Sequence, residues 1–399
     1  MFPKSVLKSF LSAALLLAWP SSALAETLTE QSVVQSVRAR HPEIVSARRD
    51  ADAVAARAEQ FSLLPNPSLA WERETLHELE RQDIFKLTVP LELSGRRAAG
   101  RALVRSEAAL TRADAATTES AAVEAVLGLF YEALAAERRV AIAQDALERL
   151  EQAGQVLVKR QAEGVTSGYD VHRLEVQVEL GRVVLEQSEA DLRGLRAALA
   201  LLLGSDERTL ALRGTLAVHE PRPAGGVRRA VSEARQAATE ARSAEDAAEK
   251  AWIPSVELSG GLRVVELAET HYGYVAGVSL EVPLFSRGQE LRAEARTRES
   301  AAQARAASLE QRASLEELNA RHELAATQAE VERLGTSAAE RVQKVLRAAE
   351  SSYREGNRPL NDLIEAHTIA TAIELRRLDA ELRAKRAELK LRAARGEFE

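Results

Sequence analysis

Two short segments concentrate the groups that could act on a solute. Glu163-Gly164 is followed, after five intervening residues, by Asp170, and Glu355-Gly356 is followed at the same spacing by Asp362. Asp362 and Glu365 are three apart, so both project from one face of a helix. Such a pair can attract a cation, or can simply occupy a first helical turn, where the helix dipole favours negative charge. Ser167 with Asp170 has the spacing of a capping box, and by themselves these residues read as caps more readily than as a site. Other reactive types offer less. His41, His77, His172, His219, His271, His322 and His367 are scattered without paired-ligand spacing, and His322-Glu323 has no second histidine four residues after the first. No phosphate-binding loop, nucleophile elbow or dinucleotide fingerprint is present. The expectation is a non-enzyme with no cofactor and no dedicated metal site.

The elements around these segments come in two copies. Val89-Pro90-Leu91 with Gly95 recurs as Val282-Pro283-Leu284 with Gly288, and Pro67-Ser68 recurs as Pro254-Ser255. Two copies of one structural unit point to a symmetric scaffold or conduit rather than an asymmetric catalytic pocket. Each copy reads as a helix, two strands, a long helix, a tight turn and a second long helix. In the first copy the pattern predicts a helix over Thr29–Phe61, strands near Ser68–Leu76 and Asp83–Glu92, and a long helix from Ser94 to about Gln161. At about 1.5 Å per residue that helix would be roughly 100 Å long. Apolar or small residues recur at 3,4 spacing from Val126 to Leu157 and again from Val171 to Leu202, which predicts an antiparallel coiled-coil hairpin folded at Gly164–Gly168. The second copy predicts a helix over Val227–Ala251, strands near Pro254–Glu266 and Tyr272–Pro283, and long helices over Gln289–Arg354 and Pro359–Ala394, with less regular heptads.

Lys4 and Lys8, the apolar stretch Phe10 to Trp19 and Ala23-Leu24-Ala25 have the layout of a cleaved signal peptide. The resulting division is a leader at 1–25, a first repeat at 26–203, a connector at 204–226 with Pro221 and Pro223, and a second repeat at 227–399. The net charge of −6 gives no basic excess for nucleic acid, and the absence of cysteine leaves no disulfide and no thiol to carry an N-terminal lipid. The remaining chain has no apolar run near the roughly 18 residues of a spanning helix, so any membrane crossing would be made by strands. Four strands of about 10 residues suit a tilted crossing but cannot close by themselves. Strand pattern alone leaves a pooled membrane barrel and a small soluble sheet both open.

The chain resembles the TolC-type outer-membrane efflux factors, and within them the cation-efflux branch associated with cobalt, zinc and cadmium. His41-Pro42-Glu43, Leu64-Pro65-Asn66-Pro67, Val89-Pro90-Leu91-Glu92-Leu93-Ser94-Gly95-Arg96-Arg97 and Val282-Pro283-Leu284-Phe285 with Arg287-Gly288 carry the resemblance, which covers essentially the whole chain after the leader. It implies a mainly α fold with a small β part. Duplicated coiled-coil hairpins would form a helical barrel, and four strands per chain would contribute to a 12-stranded outer-membrane β-barrel in a homotrimer embedded in lipid. It further implies an exit duct that receives substrates, heavy-metal cations first among them, from a periplasmic adaptor and a proton-driven inner-membrane pump.

The resemblance also assigns roles at the two turns. Asp362 and Glu365 would line the pore constriction, three chains bringing six carboxylates into a cation-favouring ring. Asp170, Tyr353 and Arg358 would be latch groups between neighbouring hairpins. Gly164, Val165, Thr166, Ser167, Gly356, Asn357 and Pro359 would form the adaptor-contact tips, with Pro359 stiffening the second turn. The different-class alternative is a soluble periplasmic coiled-coil adaptor or chaperone, against which the duplicated hairpins and paired strands argue. A protein-secretion duct of the same architecture is the third.

Overall fold

The structure, a computed structural model, describes residues 26–76, 80–164, 166–204, 210–219, 227–266 and 269–399. The expected leader at 1–25, His77, Val165 and much of the connector (205–209 and 220–226) lie outside them. In chain order the first repeat comprises β1 (Glu26–Leu28), α1 (Glu30–Arg40), α2 (Pro42–Glu59), β2 (Ser68–Leu76), β3 (Glu80–Leu91), α3 (Arg96–Ala162) and α4 (Gly168–Leu203). After β4 (Leu210–Leu212), the second comprises α5 (Arg229–Ala248), β5 (Ser255–Glu266), β6 (Thr270–Glu281), α6 (Gln289–Arg333), a π-helical turn (Leu334–Ala338), α7 (Ala339–Arg354) and α8 (Leu360–Ala394).

Three features depart from the sequence reading. The helix expected over Thr29–Phe61 is two helices, because His41 is extended (φ −61°, ψ 123°). Pro42 is the cause: a proline pushes the residue before it out of the helical region and itself suits the first position of a new helix. A parallel pair, β1 with β4, ties Glu26–Leu28 to the expected connector. The long helix expected over Gln289–Arg354 is interrupted by five residues of π-helix.

The hairpin seams follow the predicted spacing. Leu147, Leu157, Val171 and Leu174 are buried, a side chain on Gly154 would meet Leu174, and one on Gly181 would meet Leu147. In α5, Ala230, Ala234, Ala237, Ala241, Ala244 and Ala248 recur at alternating 4,3 spacing and are all buried, Ala230, Ala234 and Ala237 in clusters with alanines of α3 and α6 such as Ala109, Ala113, Ala302 and Ala306. Side chains this small let three helix backbones approach closely. The largest apolar cluster lies farther along α3, where Val33, Ile44, Leu127, Phe130, Leu199, Leu389 and Phe398 converge.

Beside that cluster, the buried Glu119 carboxylate binds three arginines: Arg38 at 2.9 Å, Arg48 at 2.8 Å and Arg229 at 3.0 Å, joining α1, α2, α3 and α5. Burial pushes the Glu119 carboxyl up, yet hydrogen bonds and charge from Arg48 and Arg229 outweigh it and hold the group below the usual carboxylate range. Its stabilisation is therefore complete above the ordinary carboxylate pKa and is lost as pH falls through the lower folded value. Removing one partner of a buried ion pair costs about 3–5 kcal/mol. Here the three arginines, roughly a third to a half exposed, can rehydrate. Glu119→Ala is expected to cost about 2–3 kcal/mol, below that range, and to flatten the acid limb of stability, both read by denaturant titration at several pH values.

The four long strands form one antiparallel sheet in the order β2-β3-β5-β6, so the repeats join at β3–β5. Register separates its faces. One carries Leu69, Trp71, Phe85, Leu87, Val89, Leu258, Leu262, Tyr272, Tyr274, Val278 and Leu280, all exposed, together with the Arg73–Asp83 ion pair. The other is mixed but more polar, with Ser68, Glu72, Lys86, Thr88, Glu257, Ser259, Arg263 and Glu281 beside Ala70, Ile84, Val265 and Val275. Both edge strands, β2 and β6, lack an outer neighbour among the described residues.

Candidate functional site at the paired hairpin tips

At the far end from the sheet the two hairpins close with the same local chemistry. Gly164 (φ +73°) and Gly356 (φ +78°) take the left-handed conformation that ends a helix, which explains the repeated Glu-Gly. Ser167 caps α4, its hydroxyl lying 3.4 Å from the Asp170 amide and 3.0 Å from the Asp170 carboxylate. Asp170 is thus a capping residue in its own hairpin. Pro359 precedes α8 in an extended conformation, and Asp362 follows in its first turn.

The tips pack on each other. Leu157, Val171 and Leu174 of the first hairpin form one apolar cluster with Leu346, Ala349, Tyr353, Leu360, Leu363 and Ala366 of the second. Tyr353 lies in this cluster rather than at the surface. Burial, and the nearby Asp170 charge, raise its phenol above the usual value, while Arg160 pulls the other way. Arg160 is the residue that motif reading missed. From the last turn of α3 its guanidinium donates to the Tyr353 carbonyl at 2.9 Å and the Arg354 carbonyl at 2.7 Å, and stacks 4.8 Å from the Tyr353 ring centroid. The last carbonyls of a helix have no partner of their own, so a fork-shaped cation from the opposite hairpin satisfies two of them.

Of the sequence-derived site residues, Asp170 lies near enough for its charge to act on the Tyr353 phenol, but its bonds are to Ser167. Arg358 is exposed and donates to Asp362 at 2.7 Å within its own turn. Glu365 is exposed, on the side of α8 away from Leu363 and Ala366, and has no side-chain partner among the described residues. Gly164, Ser167, Gly356, Asn357 and Pro359 are all exposed, and Thr166 is half-buried. Among the described residues no group of three or more histidine, aspartate or glutamate side chains is arranged to hold a metal ion, and no helix is long and apolar enough to cross a membrane.

Long paired hairpins beneath a small two-faced sheet recur in solved structures. The Campylobacter jejuni CmeC outer membrane channel superimposes with a TM-score of 0.72 over 92% of this chain and 85% of that one, at 15% identity. The chain has the TolC-type fold. No family model matches it. Two curated relatives align with most of the sequence. The cobalt-zinc-cadmium resistance protein CzcC of Cupriavidus metallidurans is 23% identical over 66% of this chain. The nickel-cobalt-cadmium resistance protein NccC of Alcaligenes xylosoxydans xylosoxydans is 26% identical over 73%. The matched stretches span 64% and 69% of those relatives' own lengths.

Proposed function

We propose that the chain is the outer-membrane exit duct of a tripartite efflux system, with no catalysis of its own. The observation that carries this is the sheet. It exposes a largely apolar face with one ion pair on it, presents a more polar one behind it, and has two edges unpaired among the described residues, at the end of long helical arms. Open edges are not tolerated in lipid, so the sheet must close with strands of other copies. Three copies would give a 12-stranded barrel, within the range of known membrane barrels. An exposed stripe on α4 (Val176, Leu180, Val183) and exposed Leu315, Leu318 and Val345 on the second arm supply apolar surface for neighbouring copies in the helical barrel. A soluble adaptor or chaperone would have no use for the exposed sheet face.

In this reading 26–203 and 227–399 are the two repeats, and 1–25 is a leader removed on export. The polar sheet face lines the pore, and the exposed turns meet a periplasmic adaptor that connects to an inner-membrane pump. Heavy-metal cations are the proposed cargo, in line with the names of both relatives. Selectivity among metals would rest with the pump. The closed end is the tip, where Asp170, Tyr353 and Arg358 take part in the latch and Asp362 and Glu365 narrow the pore.

The first test is fractionation of cells expressing the full chain, with an alkaline carbonate wash of the outer membrane. Retention in the washed membrane is expected, and release into the soluble fraction would overturn the duct. A second test addresses the ring. Asp362→Ala with Glu365→Ala should reduce cation selectivity and block by multivalent cations in planar bilayers, because six carboxylates would leave the axis. Unchanged single-channel behaviour would remove these residues from the constriction.

A further inference from the structure

His367 is the one histidine among the described residues that is about nine-tenths buried. It sits on α8 where the second hairpin leans on the first, between two cavities. One, of about 260 Å³, is lined by Arg149, Gln152, Val156, Glu350, Tyr353 and His367. The other, of about 500 Å³ and more apolar, is bounded by Leu147, Leu180, Leu375 and the ion-paired Arg139 and Asp379. His367 Nδ1 is buried and makes no hydrogen bond to a protein group among the described residues, and His367 and Tyr353 both line the smaller cavity. His367 Nε2 lies 4.0 Å from Glu350 Oε1, too far for a hydrogen bond. With no protein acceptor within hydrogen-bond distance, the ring gains nothing in the packed state from taking up a proton, so its neutral form suits the packing.

We propose that His367 makes the packing of one hairpin tip on the other proton-sensitive, neutral imidazole holding the tips together and imidazolium loosening them. The charged and titratable groups around it set the sign. α3 presents Arg149, itself paired with Asp145, and Arg139. α7 presents Glu350, Arg354 and the Tyr353 phenol, α8 adds Asp379, and α4 offers only the uncharged Gln177 and Ser188. Among the described residues, Glu350 is the one carboxylate lining these cavities that is not paired with an arginine. Burial disfavours the imidazolium, Glu350 offsets part of that cost, and Arg149 adds to it, leaving the group below its ordinary value. A histidine depressed in the packed state favours packing above about pH 6.5 and opposes it as pH falls below that value. The tip contact is therefore tight at neutral pH and weaker in acid. Its consequence for a gate rests on the duct reading, but the contact itself does not.

The experiment is hydrogen exchange of the full-length protein in detergent at pH 7.5 and pH 5.5, corrected for intrinsic rates, reading segments 340–370 and 150–175. Acid should raise the local opening equilibrium there by up to about tenfold, the limit for exclusion of one proton across this window. His367→Gln should remove the acid response, and Glu350→Gln should enlarge it, because the compensating carboxylate is gone. A flat wild-type profile, or an undiminished acid response in His367→Gln, would overturn the inference. If His367→Gln does not fold, a Glu350→Gln profile equal to wild type would overturn it instead. Bilayer conductance is read in parallel: acid loosening of the tips without a change in conductance would sustain this inference and count against the tip as the gate.

Discussion

In the proposed duct, Arg160→Ala should shift the tips toward an open state. The guanidinium makes two charge-assisted hydrogen bonds to carbonyls of the opposite hairpin and stacks on Tyr353. A hydrogen bond to a charged group contributes about 1.5–3 kcal/mol, and a cation–π contact about 0.5–2 kcal/mol. Arg160 is only half-buried, and the freed carbonyls can be hydrated, so a net loss of about 2–4 kcal/mol is a fair discount of that sum. If the open and closed tips are in equilibrium, this multiplies the open-to-closed ratio by roughly 30 to 700, at about tenfold per 1.4 kcal/mol. Single-channel recordings should show a higher open probability, and residues 346–366 should exchange hydrogen faster. Arg160→Lys keeps the charge but not the fork, and should fall between wild type and alanine. Wild-type conductance and exchange in Arg160→Ala would mean that the clamp is not part of the closure.

The second large effect is expected at the sheet-to-helix junction. Gly95 and Gly288 are the glycines of the duplicated Val-Pro-Leu segments, and both press on the end of α5. A β-carbon on Gly95 would lie 1.9 Å from the Ala247 carbonyl oxygen; one on Gly288 would lie 2.4 Å from the Ala251 β-carbon and 2.9 Å from the Ala248 oxygen. Gly288 also has φ +85°. A backbone oxygen cannot step aside as a side chain can, so Gly95→Ala must part α3 from α5. The cost should reach or exceed the upper end of the about 1–3 kcal/mol typical of overpacking. Gly128→Ala is the control. It meets nothing within 4 Å and lies in the middle of α3, where alanine is favoured over glycine by about 0.5–1 kcal/mol. If the duct reading holds, folded oligomer recovered from membranes should fall sharply for Gly95→Ala and Gly288→Ala and hold or rise for Gly128→Ala. Equal recovery of all three would show that the junction accommodates bulk.

Helices, strands and hairpin turns were legible because each is periodic or marked locally. The 3,4 spacing around Leu147 and Leu174 and the Glu-Gly pairs at both turns needed no distant information. Pro42 also announced the break between α1 and α2, although as part of His41-Pro42-Glu43 it served only as a family marker. Other features had no local signature. Arg160 binds backbone carbonyls of residues far away in sequence, and any long cationic side chain on the helix surface would have looked the same. The separation of the sheet faces needed the pairing register, which aligns Trp71 with Phe85 and Leu262 with Tyr274. Tyr353 has the type and position of a latch residue, but only packing reveals that it is buried between hairpins.

The π-helical turn at Leu334–Ala338 changes more than local hydrogen bonding. In an α-helix each residue advances about 100° around the axis, and a π turn accommodates one extra residue without breaking the rod. Everything beyond Ala338 is therefore rotated by about that angle relative to the phase set in α6. The irregular heptads of the second arm become two regular stretches joined out of phase, and the turn works as an azimuth setting. It fixes which side of α7 meets the first hairpin, and so presents Leu346, Ala349 and Tyr353 inward. Deleting one residue from Gly335–Ser337 would restore continuous α-helix and swing that apolar stripe away from its partner, while leaving the composition of the tip unchanged.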